Sequence, residues 1–150
     1  MKVVPIHHVP MKPEYRSPYS AAYAVEDARL VFFSGCCTIP IYHKHPHDPA
    51  EEAQWLAGDI SQQTERTFQH IKQVLDAAGG SFSSVLQVTI YCTNVDHQNV
   101  INEISAKYFG TRNPPARTFL QVVALAHPGM LVEIDGVAAV PKSTADGRAA

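Results

Sequence analysis

Residues 59–80 define one element from both ends. Asp59 offers an N-cap acceptor and Gln62 stands three residues on, the pair a capping box requires. Ile60, Thr64, Phe68, Ile71, Leu75 and Ala78 then recur at the spacing of one helical face. Gly79-Gly80 supplies the left-handed stop. The pattern predicts an amphipathic helix over 59–78, and such a helix must bury its apolar face against another layer.

The flanking sequence supplies that layer as strands. Leu86, Val88, Ile90 and Cys92 share a face of a strand spanning 85–92. A second helix runs from about Asp96 to Phe109, with Val100, Ile104 and Tyr108 on one stripe and Gly110 as terminator. Pro114-Pro115 resets the chain. Two β-rich runs, 117–126 and 131–140, follow, separated by His127-Pro128-Gly129. Upstream, Ala21, Tyr23 and Val25 alternate, Glu26-Asp27-Ala28 reads as a turn, and Leu30 to Phe33 is apolar, which together suggest a β-hairpin closed by Ser34-Gly35. The order is β-β-α-β-α-β-β. It implies an α+β, two-layer sandwich, a mixed sheet with two helices on one face. Run 117–126 puts Phe119, Val123 and Leu125 on one side and Leu120, Val122 and Ala124 on the other. Both sides are apolar, so the helix-free face also needs cover, and oligomerisation supplies it.

One domain spans 1–150. Residues 1–18, with Pro5, Pro10, Pro13 and Pro18, read as an irregular arm, and 141–150 as a frayed tail. Hydrophobic residues at 45% and charged residues at 17% fit a globular chain. A net charge of -2 and a pI of about 6.4 argue against a polybasic nucleic-acid or membrane binder. No apolar stretch approaches the roughly 20 residues of a spanning helix, and MKVVPIHHVP is no signal peptide. Cys36, Cys37 and Cys92 are odd in number, which points to reduced thiols and a cytoplasmic setting.

Four features carry possible chemistry. His43, His45 and His47 alternate within a long, proline-rich connection, 38–58, in which Glu51 to Leu56 has room for one helical turn. Imidazoles beside Asp48 suit zinc or copper, but a metal site needs ligands fixed from behind, and this segment reads as a mobile, solvated loop without metal. Cys36-Cys37 lacks a cationic neighbour and reads as structural thiols. Arg117 opens a hydrophobic strand, where its fork suits a carboxylate. Glu133, among Leu131, Val132 and Ile134, is a candidate partly buried acid with a raised pKa. No nucleophile elbow, Walker motif, dinucleotide fingerprint or CxxC occurs.

Read together, PYSAA at 18–22, LVFFSG at 30–35, DISQQT at 59–64, LDAAGGSFSSVLQVTIYCTN at 75–94, VINEISAKYF at 100–109, NPPARTFLQV at 113–122 and LVEIDGVAAV at 131–140 resemble the RidA (YjgF/UK114) family. The resemblance covers about Pro18 to Val140. It implies a chorismate-mutase-like fold and a homotrimer with clefts between subunits. It also implies hydrolysis of reactive enamines and imines to ketoacids and ammonia, without metal or organic cofactor. By the same resemblance Arg117 binds the substrate carboxylate, Glu133 is the acidic residue of the last strand, and Tyr19, Ser34, Gly35 and Asn102 complete the site. Phe119 stands where relatives usually carry Cys, Cys36 where they usually carry Gln, and the 38–58 connection is longer. All three departures are expected near the cleft, which favours a larger substrate, such as an aminomuconate-type intermediate, over 2-aminoacrylate or a small 2-iminoacid. Rival readings are a non-catalytic, carboxylate-binding trimer acting as sensor or chaperone, and the endoribonuclease or translation-inhibitor label of some relatives. The acidic pI weighs against RNA.

Overall fold

In the computed structural model, which describes residues 1–10 and 17–142, the chain runs β1 (Lys2–Ile6), β2 (Ala22–Glu26), β3 (Arg29–Cys37), α1 (Pro49–Leu56), α2 (Ile60–Ala77), β4 (Val85–Cys92), α3 (Gln98–Phe109), β5 (Ala116–Gln121) and β6 (Val132–Val140). Four strands form one mixed sheet in the order β3-β6-β4-β5. β4 and β5 are parallel, with α3 as their crossover, and the other pairs are antiparallel.

The capped helix is present as read. Gln62 N–H donates to Asp59 Oδ1 at 3.0 Å, and Asp59 N–H donates back to Gln62 Oε1 at 3.1 Å. At the other end Gly79 takes φ 76° and Gly80 N–H reaches Leu75 O at 2.8 Å. Phe68, Ile71 and Leu75 are fully buried with Val88 and Ile90 of β4 and Val132 and Ile134 of β6. Each large side chain so buried contributes about 1.5–3 kcal/mol. The Phe68 ring stacks on Tyr108 of α3 at 4.5 Å between centroids, which joins the two helices over the sheet.

Four expectations change. The arm 1–18 contains β1, paired antiparallel with β2 from Lys2↔Glu26 to Ile6↔Ala22. Pro5 is tolerated there because a two-stranded ribbon has an outward edge where a missing N–H costs no ladder bond. The predicted hairpin is therefore not a ladder: β2 pairs with β1, whereas β3 pairs with β6, and Asp27 at φ 55° turns the chain between them. Run 117–126 stops as a strand at Gln121. Val122 N–H still reaches Cys92 O at 2.9 Å, but β4 ends there and residues 123–126 have no strand to follow. The 38–58 connection carries a full helix, α1, whose N-cap Asp48 accepts from Ala50 N–H at 2.7 Å, with Pro49 at its first position. Residues 11–16 of the expected arm and 143–150 of the expected tail lie outside the described residues. Among the described residues no helix is long and apolar enough to cross a membrane.

Candidate active site

Strand parity places Arg117. It is the register partner of Val88, and Phe119 that of Ile90, so both stand on the face that the helices cover. β5 is an edge strand, so this face stays partly open there. Asn102, on α3, accepts from Arg117 Nη1 at 2.7 Å and fixes the guanidinium. Arg117 Cζ lies 5.9 Å from the Tyr19 ring centroid and 5.8 Å from that of Phe119, within cation–π range. Burial lowers the Arg117 pKa, and Tyr19 offsets this in part. Among the described residues no carboxylate pairs with Arg117. The guanidinium lines a cleft of about 50 Å³ with Ser17, Pro18, Pro114 and Pro115.

Glu133 stands on the opposite face. Its register partners are Tyr91 on β4 and Cys37 on β3. The carboxylate lies over Gly35, in the bulge between Phe33 and Cys36, and a Cβ at position 35 would overlap Glu133 Oε1. This explains the glycine at that position, and Ser34 is exposed beside it. Burial raises the Glu133 pKa, and the charge of Asp135 raises it further. Asp135 itself accepts from the Tyr91 hydroxyl at 3.0 Å. Glu133 borders a second cleft of about 330 Å³, shared with Cys37, His43, His45, His47 and His127.

The connection that walls this second cleft is tied down. Thr38 Oγ1 donates to Trp55 O and accepts from Arg66 Nε at 2.8 Å. Arg66 also donates to Ala57 O. The Gln63 side chain donates to Leu56 O at 3.0 Å and Gly129 O at 2.9 Å, and accepts from Leu131 N–H at 3.0 Å. Gln63 thus holds the end of α1 and the lead-in to Glu133 together. Sequence reasoning missed Gln63 and Arg66. The signal for Gln63 was its place on the buried stripe of α2, where a polar side chain must find partners.

The seven predicted site residues therefore fall into two groups. Tyr19, Asn102, Arg117 and Phe119 gather on the helix side, while Ser34, Gly35 and Glu133 gather on the other. Cys36 belongs to neither: it is fully buried in the core, its thiol pushed up to about 12 by burial, then by Cys37 and Glu133. Its register partner Ile134 faces the helices, so this departure lies in the core and not at the cleft.

Residues 10–140 match the family model described as Endoribonuclease L-PSP. The fold also matches YyfB of Yersinia pestis, a protein of unknown function in the conserved Rid family, with a TM-score of 0.74 and 26% identity, covering 93% of this chain and 100% of that one. The chain belongs to the RidA/YjgF family. Its two-layer sandwich is the chorismate-mutase-like fold of the RidA/YjgF proteins. It is 37% identical over 131 residues to Protein DfrA of Myxococcus xanthus, covering 87% of this chain and 92% of that one. It is 31% identical over 121 residues to the human 2-iminobutanoate/2-iminopropanoate deaminase, covering 81% and 79% of the two chains. Names of this kind support enamine and imine deamination as the function of the family to which this RidA protein belongs.

Proposed function

We propose that the chain is a hydrolytic deaminase of reactive enamines and imines that carry a carboxylate, acting as a homotrimer whose sites lie between subunits. The observation that carries this reading is Arg117: a half-buried guanidinium, oriented by Asn102, with no carboxylate partner among the described residues. Such a fork suits an incoming carboxylate.

The substrate carboxylate pairs with Arg117, which fixes C2 for attack. An enamine first takes a proton at carbon and becomes the iminium. Water adds to C2 as Glu133 accepts one of its protons. That proton returns to nitrogen, the C–N bond breaks, and ammonia leaves as the C2 hydroxyl gives its own proton to the freed Glu133 carboxylate and closes to a ketone. Glu133 then passes that proton to solvent, which balances the one the enamine took up. The uncatalysed reaction is easy, so positioning with one general base gives a useful rate.

Arg117 and Glu133 stand on opposite faces of one sheet, so no single protomer turns both toward one substrate. A second copy resolves this. The helix-free face is partly apolar and open, with Leu30 49%, Phe32 76% and Leu120 43% exposed. A copy docked there brings its own Arg117 edge to the cleft of Glu133. Phe119 walls the Arg117 side and the longer 38–58 connection walls the Glu133 side, which favours a substrate larger than 2-aminoacrylate.

The test is ammonia release from imino acids generated in situ from a panel of amino acids, for wild type and Arg117→Ala. The proposal expects turnover above the uncatalysed rate, and binding of a 2-ketoacid weakened about 10- to 100-fold in the variant, the worth of a charge-assisted pair. A 2-ketoacid that binds both proteins alike would reduce Arg117 to a surface cation.

A further inference from the structure

The three loop histidines do not spread into solvent. Their rings converge, with centroids 4.5 Å apart for His43 and His45, 4.6 Å for His43 and His47, and 4.9 Å for His45 and His47. One ligand nitrogen from each lies within 4.8 Å of the others. We propose that His43, His45 and His47 form a binding site for one divalent transition metal of the zinc class, with an open coordination position toward the cleft of Glu133.

The tautomers carry the proposal. His43 Nδ1 lies 2.6 Å from Pro40 O, which only accepts, so Nδ1 carries the hydrogen. His47 Nδ1 lies 2.6 Å from Glu52 Oε2, a carboxylate oxygen, and carries its hydrogen by the same logic. In the neutral rings this leaves a lone pair on each Nε2, and those two atoms face each other at 2.9 Å. Two lone pairs at that distance repel unless a cation lies between them. A tetrahedral zinc with bonds of about 2.0–2.1 Å sets its nitrogens about 3.3 Å apart. Ring shifts of about an ångström bring the trio to that spacing, and His45 is the exposed member of the three.

The surroundings are those of a held site. Ligating histidines usually donate their second N–H to a carboxylate or carbonyl, and here Glu52 and Pro40 O accept from His47 and His43. Glu52 is itself fixed in the first turn of α1 and also lies 3.2 Å from His127 Nε2. The Trp55 ring packs behind His43 and His47, at 5.4 and 5.7 Å between centroids. The Thr38, Arg66 and Gln63 bonds pin the loop to α2. Three protein ligands leave a fourth position for water or for an anionic group in the cleft.

The experiment is zinc titration by calorimetry on the chelator-stripped full chain, with cobalt(II) visible spectra as a second readout of geometry. The site predicts one metal per protomer with a Kd below about 10 μM. It also predicts the intense d–d bands of a four-coordinate cobalt. His43→Ala and His47→Ala should each weaken binding at least about 100-fold, His45→Ala somewhat less, and Glu52→Gln about 10-fold, through the lost support. His70→Ala, on α2 outside the cluster, should leave the affinity unchanged. A wild type that takes up no stoichiometric metal would mean that the two Nε2 atoms share only a proton. Uptake that survives the double variant His43→Ala/His47→Ala would place the metal elsewhere. Either result overturns the assignment, whatever the outcome for ammonia release.

Discussion

The two faces of the four-stranded sheet differ in what completes them. The helix face is closed by its own chain: α2 and α3 cover Val88, Ile90, Val132 and Ile134, and α3 lends Asn102 to hold Arg117. The other face carries Glu133, Asp135 and Tyr91 at its centre and leaves Phe32 and Leu30 in the open. One face is finished as a protomer, and the other waits for cover. On the proposed reading, a positioned cation on the first and a base of raised pKa on the second make chemistry only when two copies meet. Assembly and activity are thus one property on this account.

The largest expected effect follows from breaking the open face. Phe32→Asp adds a charge where a partner must exclude water, and should weaken assembly about 10³-fold or more while the protomer stays folded. Light scattering should show monomers with background ammonia release. A monomer with full turnover would mean that one protomer holds a complete site.

Next is Glu133→Gln, which keeps the shape but removes the base. Turnover should fall about 10²-fold with little change in ligand affinity. In wild type the ionised base exists above its raised pKa, so turnover should fall as pH drops through a point above the ordinary glutamate range. That limb should vanish in the variant. Unchanged turnover would remove Glu133 from the chemistry, and a wild type with no turnover above background would favour a ligand-binding trimer over an enzyme.

The smallest effect sharpens the helix side. Asn102→Ala removes one bond from Arg117 without removing the cation, and should weaken carboxylate binding about 3- to 10-fold, as a single hydrogen bond is worth. Rescue by Asn102→Gln would be partial at best, since the longer arm moves the acceptor. An effect as large as that of Arg117→Ala would make Asn102 itself a substrate contact.

How much of this could be read from the chain depended on the range of the interaction. α2 was legible because its cap, stripe and stop are all local. β4 and β6 were legible because buried apolar residues recur at nearly every second position along each strand. β1 was not, since prolines mask a strand whose ladder partner among the described residues, β2, lies about twenty residues away. Arg117 and Glu133 stood out as charges in apolar runs. Their separation by the sheet was hidden, because faces are set by the registers β4–β5 and β4–β6, which no single strand encodes. The ties of the histidine loop were hidden in a similar way. Gln63, Arg66 and Thr38 hold it through backbone carbonyls far along the chain, and carbonyl acceptors leave no trace in residue identity.

Subunit complementation tests the composite site most directly. Arg117→Ala and Glu133→Gln protomers, each strongly impaired alone, are unfolded together in equal amounts and refolded as mixed trimers. Random assembly should pair an intact Arg117 with a neighbour's intact Glu133 at about a quarter of the sites. Ammonia release should then recover to about a quarter of the wild-type rate. A mixture no more active than the two variants refolded separately would place both groups in one protomer's site, or neither in the chemistry, and would contradict the two-face reading.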